Sequence, residues 1–294
     1  MDDLRQLVAE ELAAPVDPRV AKLAETIAAR HDNASRAVLF YGSCLREKQL
    51  DGLMLDFYLI VSDYRAAYGK RWLAAANRLI PPNVFYFEHE GLRAKYAVLS
   101  EADFARETGL DARSTSVWAR FAQPSRLVWV ADEQAAERAR DAVAQAVPTL
   151  FQYALPMMAP NRDHGIGDIW NRGFELTYGA ELRAERAARP ASIVAADPGR
   201  FERFGQAGLA AIANRKSPRD TARWWRRAQR KGKMLSVLRL AKASATFAGG
   251  VDYIAWKINR HAGTQIEIKP WQRRWPLLAA ISLLPRLLKS GAVR

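Results

Sequence analysis

The chain has 294 residues and a hydrophobic fraction of 49%, which excludes disorder as its main state and allows one large domain or two modest ones. Its net charge of +14 is uneven: residues 215–294 carry 19 Lys or Arg against 3 Asp or Glu, while the other 214 residues carry 26 against 28, so the basic excess sits in the last quarter and is drawn to nucleic acid or an anionic membrane face. A single cysteine, Cys44, excludes a disulfide framework within the chain, and the absence of any run of about 18 apolar residues argues against a transmembrane helix.

The opening MDDLRQLVAEEL is acidic, has no apolar core segment and does not read as a secretory signal. Residues 1 to about 33 are expected to be helical, with Leu4, Leu7, Val8 and Leu12 at helical spacing and an interruption at Pro15 and Pro18. Val38-Leu39-Phe40-Tyr41 reads as a buried strand that stops at Gly42-Ser43. After a polar connector, Leu53 to Val61 is a second apolar run with one carboxylate inside it, Asp56. An unpaired buried charge is costly, so Asp56 needs a partner. A divalent cation is one, since Mg²⁺ takes carboxylate and phosphate oxygens. The small residues Gly42 and Ser43 leave backbone N–H groups where a triphosphate could sit.

Tyr64 to Leu79 reads as one helix with Tyr64, Tyr68, Trp72 and Ala75 on one face, ended by Pro81-Pro82. Asn83 to Phe87 and Leu92 to Leu99 are strand-like around a turn at His89-Glu90-Gly91, and alternation puts Lys95 on the polar face of the second strand. Ser100 has the look of an N-cap. Trp118 to Gln123 is short and apolar-basic, Arg126 to Val130 is a strand, and Asp132 starts an Ala-rich helix. To this point the alternation is mixed α/β. Beyond Val147 the pattern is mostly helical: Asp168 to Arg189, Pro198 to Ala213, Trp224 to Lys233, Leu235 to Phe247 and Val251 to Ile258, then a Trp- and Leu-containing tail. The four histidines, His31, His89, His164 and His261, lack metal-ligand spacing, so no zinc site is expected.

An apolar run, Gly-Ser, a spacer and an acidic residue entering the next strand is similar to the DNA polymerase beta-type nucleotidyltransferases, with Tyr58 where their second Asp stands. Five stretches in order, FYGSCL…LMLDFYLIVSDY, NVFYFEHEGLRAKYAVLS, ARFAQPSRLVWV, LTYGAELRAE and VLRLAKASATFAGG, resemble the mitochondrial translocator-maintenance family of phosphatidate cytidylyltransferases (CDP-diacylglycerol synthases) and suggest a bacterial relative. Departures are Glu181 for the family's Asp, Ala97 for its Gly and Ala245 for its Phe.

The resemblance implies an α+β fold: a nucleotidyltransferase-type mixed sheet with flanking helices over residues 1–147, a helical domain over 148–214 that completes the active site, and a basic, Trp-rich helical segment over 215–294 for membrane-surface contact. It implies transfer of the cytidylyl group of CTP to phosphatidate, in phospholipid biosynthesis. Asp56 and Glu181 would hold Mg²⁺, Lys95 would contact phosphate, and Gly42, Ser43, Arg183 and Lys242 would bind the nucleotide. Phosphatidate lies in a bilayer, so a peripheral protein on the inner face of the bacterial cytoplasmic membrane is expected, with Trp224, Trp225, Trp256, Trp271 and Trp275 as interfacial indoles. Nucleic acid is not the expected partner, because the aromatics are not spaced as a stacking platform. The alternatives are a nucleotidyltransferase with a non-lipid acceptor and a degenerate nucleotide- or RNA-binding module.

Overall fold

The computed structural model describes residues 1–47, 50, 52–160, 163–181, 189–212, 216–246 and 269–270. Helices α1 (Asp2–Ala13) and α2 (Pro18–Ala29) come first, and Asp17 caps α2 by accepting from the Arg19 amide. Strand β1 (Ser35–Tyr41) runs into α3 (Ser43–Glu47), a single short turn of helix where the sequence suggested a polar connector. Then come β2 (Met54–Val61), α4 (Tyr64–Ala67), α5 (Arg71–Leu79), and the hairpin of β3 (Asn83–His89) and β4 (Leu92–Ser100). Glu90 and Gly91 both have positive φ, the geometry of a two-residue hairpin turn. Ser100 caps α6 (Glu101–Thr108) as expected, accepting from the Asp103 amide at 3.2 Å. The short helix α7 (Ser116–Phe121), β5 (Ser125–Val130) and α8 (Glu133–Ala144) complete the mixed region.

The sheet has the order β3-β4-β2-β1-β5, with β2 and β4 parallel and every other neighbouring pair antiparallel. Both faces are covered. Side chains alternate along a strand, so Val38, Phe40, Leu55, Phe57 and Leu59 pack towards α2 and α4, while Leu39, Tyr58, Ile60, Ala97 and Leu99 pack on the opposite side against Leu4, Phe104, Phe121 and Phe151. Asp56 and Lys95 belong by parity to this second side.

After β5 the chain is helical: α9 (Ala146–Ala154), α10 (Ile166–Tyr178), α11 (Arg189–Ala195), α12 (Pro198–Ala210) and α13 (Pro218–Thr246). The chain therefore adopts the α+β class expected of it, a five-stranded mixed sheet flanked by helices and followed by a helical region. Trp118, Trp170, Phe174, Phe201 and Trp225 lie in the same apolar cluster as the sheet residues Leu39 and Tyr58, so the later helices share the sheet's core. A buried ion pair adds to this: Arg200 on α12 donates to Glu11 on α1 at 2.7 Å and to the Ala122 carbonyl at 2.8 Å. Among the described residues no helix is long and apolar enough to cross a membrane.

Several local expectations are corrected. Tyr64 to Leu79 is two helices, α4 and α5, separated at Tyr68-Gly69-Lys70, and Trp72 is 51% exposed while Tyr64 and Tyr68 are buried. The break rotates α5, so the four-residue spacing from Tyr68 to Trp72 no longer keeps one face. Helix α10 ends at Tyr178 and does not run on to Arg189. Trp224 and Trp225 lie on one continuous helix, α13, and face inward: Trp225 is 2% exposed and donates to the Tyr153 carbonyl, and Trp224 stacks on Tyr153 with 3.8 Å between ring centroids. These two indoles are packing residues, not interfacial ones. Trp256, Trp271, Trp275 and Arg183 lie outside the described residues.

Candidate active site

Strand register sets the site. Across the five strands Ser125 pairs with Tyr41, Tyr41 with Asp56, Asp56 with Lys95 and Lys95 with Tyr86. Directly paired residues put their side chains on the same face, so one transverse row of polar side chains crosses the rim of an otherwise apolar surface. Asp56 is at its centre. Its Oδ1 accepts from Lys95 Nζ at 2.9 Å, with the two side chains 19% and 28% exposed. This is the partner that the isolated carboxylate in β2 required.

The Gly-Ser corner lies against that carboxylate. Gly42 has φ of +99°, a region that disfavours any side chain, and a Cβ built there would meet Asp56 Oδ2 at 2.9 Å. Glycine is needed at this position on both counts. Ser43 follows as the first residue of α3. Gly42, Ser43, Asp56 and Lys95, all expected from the sequence, are thus brought together.

A second charged pair faces the same row. Arg120 on α7 donates to Glu181 Oε1 at 3.4 Å and to the Ser116 carbonyl at 2.6 Å. Burial opposes the Arg120 charge, but Glu181 first, and then Tyr58, Tyr41 and Asp56, outweigh it and raise its pKa. The Tyr41 hydroxyl is pushed well up by burial and by the Asp56 charge, and burial likewise raises Tyr58, which senses Arg120, Arg239, Glu181 and Asp56. Asp56 and Glu181 therefore act on one small cluster of groups. Glu181 does not sit on a helix; it follows the turn after α10, and its side chain is 11% exposed. Arg120 was not singled out in the sequence, although an arginine between Trp118 and Phe121 in an apolar stretch was the available signal.

Lys242 is placed elsewhere on this side of the molecule. Its ammonium donates to the carbonyls of Ile80 and Pro82, the latter at 2.8 Å. Burial, and then the neighbouring Arg239 charge, bring its pKa down to about 7.

Magnesium is the ion expected at these acids. Among the described residues no group of three or more His, Cys, Asp or Glu gathers as a metal cage. Asp56 already holds a cation, the Lys95 ammonium, on one oxygen. That donor set fits an ion that arrives with its nucleotide, because Mg²⁺ is commonly held by one or two carboxylates plus substrate phosphates. Glu181 is the second acid of the cluster and is engaged by Arg120.

No family model matches the chain, and no curated protein matches it. Among solved structures, a nucleotidyltransferase-like protein from Exiguobacterium sibiricum is similar over 92% of both chains, with 11% sequence identity and a TM-score of 0.29. At this identity and TM-score the likeness carries no argument. The functional reading rests on the side chains.

Proposed function

We propose that the protein is a nucleotidyltransferase that moves the cytidylyl group of CTP onto phosphatidate, giving CDP-diacylglycerol and pyrophosphate. The observation that carries the nucleotidyl-transfer part is the contact between the Asp56 carboxylate and the Gly42 corner, with Lys95 on the same carboxylate. The choice of CTP and phosphatidate is supported by the five sequence stretches that resemble the cytidylyltransferase family.

In this reading a phosphate oxygen of phosphatidate attacks the α-phosphorus of CTP, and the bond from that phosphorus to the oxygen bridging the α- and β-phosphates breaks. Both reactants are anionic, so the protein's task is to align them and offset charge. Gly42 and Ser43 hold the outer phosphates through backbone N–H and hydroxyl. Asp56 would hold magnesium, with Glu181 as the second acid at hand, and the ion would withdraw charge from the phosphates. Lys95 and Arg120 supply fixed positive charge beside the reacting phosphorus. The basic last quarter, net +16, supports work at an anionic membrane surface on the inner face of the cytoplasmic membrane.

One observation favours the alternative of a degenerate module: Lys95 neutralises the one strand carboxylate that a metal would need. Labelled CTP and labelled ATP, each with and without phosphatidate vesicles, separate the readings. Label is expected in the lipid phase only with CTP and phosphatidate together. Transfer without lipid would move the acceptor elsewhere, and binding without any transfer would leave the module.

A further inference from the structure

We propose that Arg239, together with the Ser116 hydroxyl, forms an anion subsite that receives the phosphate monoester of the acceptor. This rests on the nucleotidyl-transfer reading above and names where its second substrate is held.

Arg239 lies on α13, well away in sequence from the Asp56 corner. Its guanidinium donates to the Pro81 carbonyl at 2.8 Å, to Ser116 Oγ at 2.9 Å and to Ser114 Oγ at 3.4 Å. All three are neutral oxygens, and both serines are buried. Among the described residues no carboxylate pairs with this arginine. Arg239 is half-buried, and a partly desolvated cation is better placed with an anion beside it. The two acids that act on it, Glu181 and Glu107, are committed to other arginines, Arg120 at 3.4 Å and Arg106 at 3.3 Å. Glu107 is further held by the Ser114 amide at 3.2 Å and by the Ser114 hydroxyl at 3.4 Å. Lys242, three residues on along the same helix, adds positive charge and is itself depressed by burial and by Arg239. Among the described residues Arg239 is thus held by neutral oxygens, with the Arg120 and Lys242 charges nearby.

A phosphate monoester supplies up to two negative charges and a pair of oxygens that a guanidinium fork can grip bidentately. The Ser116 hydroxyl accepts from Arg239 and has a proton of its own to donate. Position fits as well. Tyr58 senses both Asp56 and Arg239, so the nucleotide corner and this subsite lie within electrostatic reach of one hydroxyl.

The test is equilibrium binding to the full chain, with dihexanoyl phosphatidate, inorganic phosphate and CTP as separate probes. Arg239→Gln is expected to weaken phosphatidate and inorganic phosphate about tenfold or more, the size of a lost charge-assisted hydrogen bond, while CTP binding stays within about twofold. Arg239→Lys recovers part of the loss. Unchanged phosphate binding in Arg239→Gln overturns the proposal. So does a loss confined to CTP, which would give the arginine to the triphosphate. Phosphate binding that needs Arg239 in a protein indifferent to phosphatidate keeps the subsite and removes the lipid acceptor. Matched thermal melts check folding. If Arg239→Gln does not fold, Ser116→Ala is expected to weaken both phosphate probes about threefold, and no change there overturns the subsite equally.

Discussion

Asp56→Asn is expected to lower the rate of nucleotidyl transfer by about 10³-fold, with the fold retained. The size follows from the role: a carboxylate-held metal contributes several kcal/mol of transition-state charge stabilisation, and each 1.4 kcal/mol is about tenfold in rate. The amide keeps the shape that packs against Gly42 but, being neutral, holds a divalent ion far more weakly and cannot neutralise Lys95. Both side chains of the Lys95 pair are only partly buried, at 28% and 19% exposure, so in the variant the Lys95 ammonium can turn to water and the fold is kept. A single-turnover assay and a denaturant melt on the same preparation separate the two effects. A variant within tenfold of the wild type would mean that the chemistry is done elsewhere.

Gly42→Ala is expected to be nearly as damaging to activity and clearly worse for the fold. The backbone at φ +99° would cost a side chain about 1–3 kcal/mol in strain. The added methyl would also press on Asp56 Oδ2 at 2.9 Å, and a carboxylate cannot yield without leaving Lys95. Displacing a catalytic group by about 1 Å costs on the order of 10²-fold in rate. Activity and melting midpoint should therefore fall together in Gly42→Ala, whereas Asp56→Asn lowers activity almost alone. Equal stability of Gly42→Ala and wild type would show that the corner relaxes freely and does not hold the carboxylate in place.

Much of this site was legible in the sequence because its signals are local. An apolar run ending in Gly42-Ser43, a lone acid inside the next apolar run and a lysine at alternating parity in LRAKYAVL each point to the residue that the register then brings to one row. The pairing itself was not legible. That Asp56 lies opposite Lys95 depends on β2 and β4 being parallel neighbours, which requires a crossover through α4, α5 and β3. Arg120 and Arg239 were missed for a related reason. Each is a cation in an apolar stretch, SVWARF and VLRLAK, and sequence alone does not separate such a residue from one whose stem packs while its head snorkels to water. Glu181 was expected on a helix that ends three residues before it, at Tyr178. The Trp224-Trp225 pair was expected at a membrane because indoles flanked by arginines have that composition; the stack on Tyr153 and the contact with Trp118 turn them inward.

The most direct measurement is a crystal structure of the protein with Mg²⁺ and a CTP analogue that cannot be cleaved between its α- and β-phosphates. Expected are phosphate oxygens on the Gly42 and Ser43 amides and a magnesium ion bonded to the Asp56 carboxylate. A nucleotide bound away from Gly42, with Asp56 still paired to Lys95 alone, would contradict the assignment.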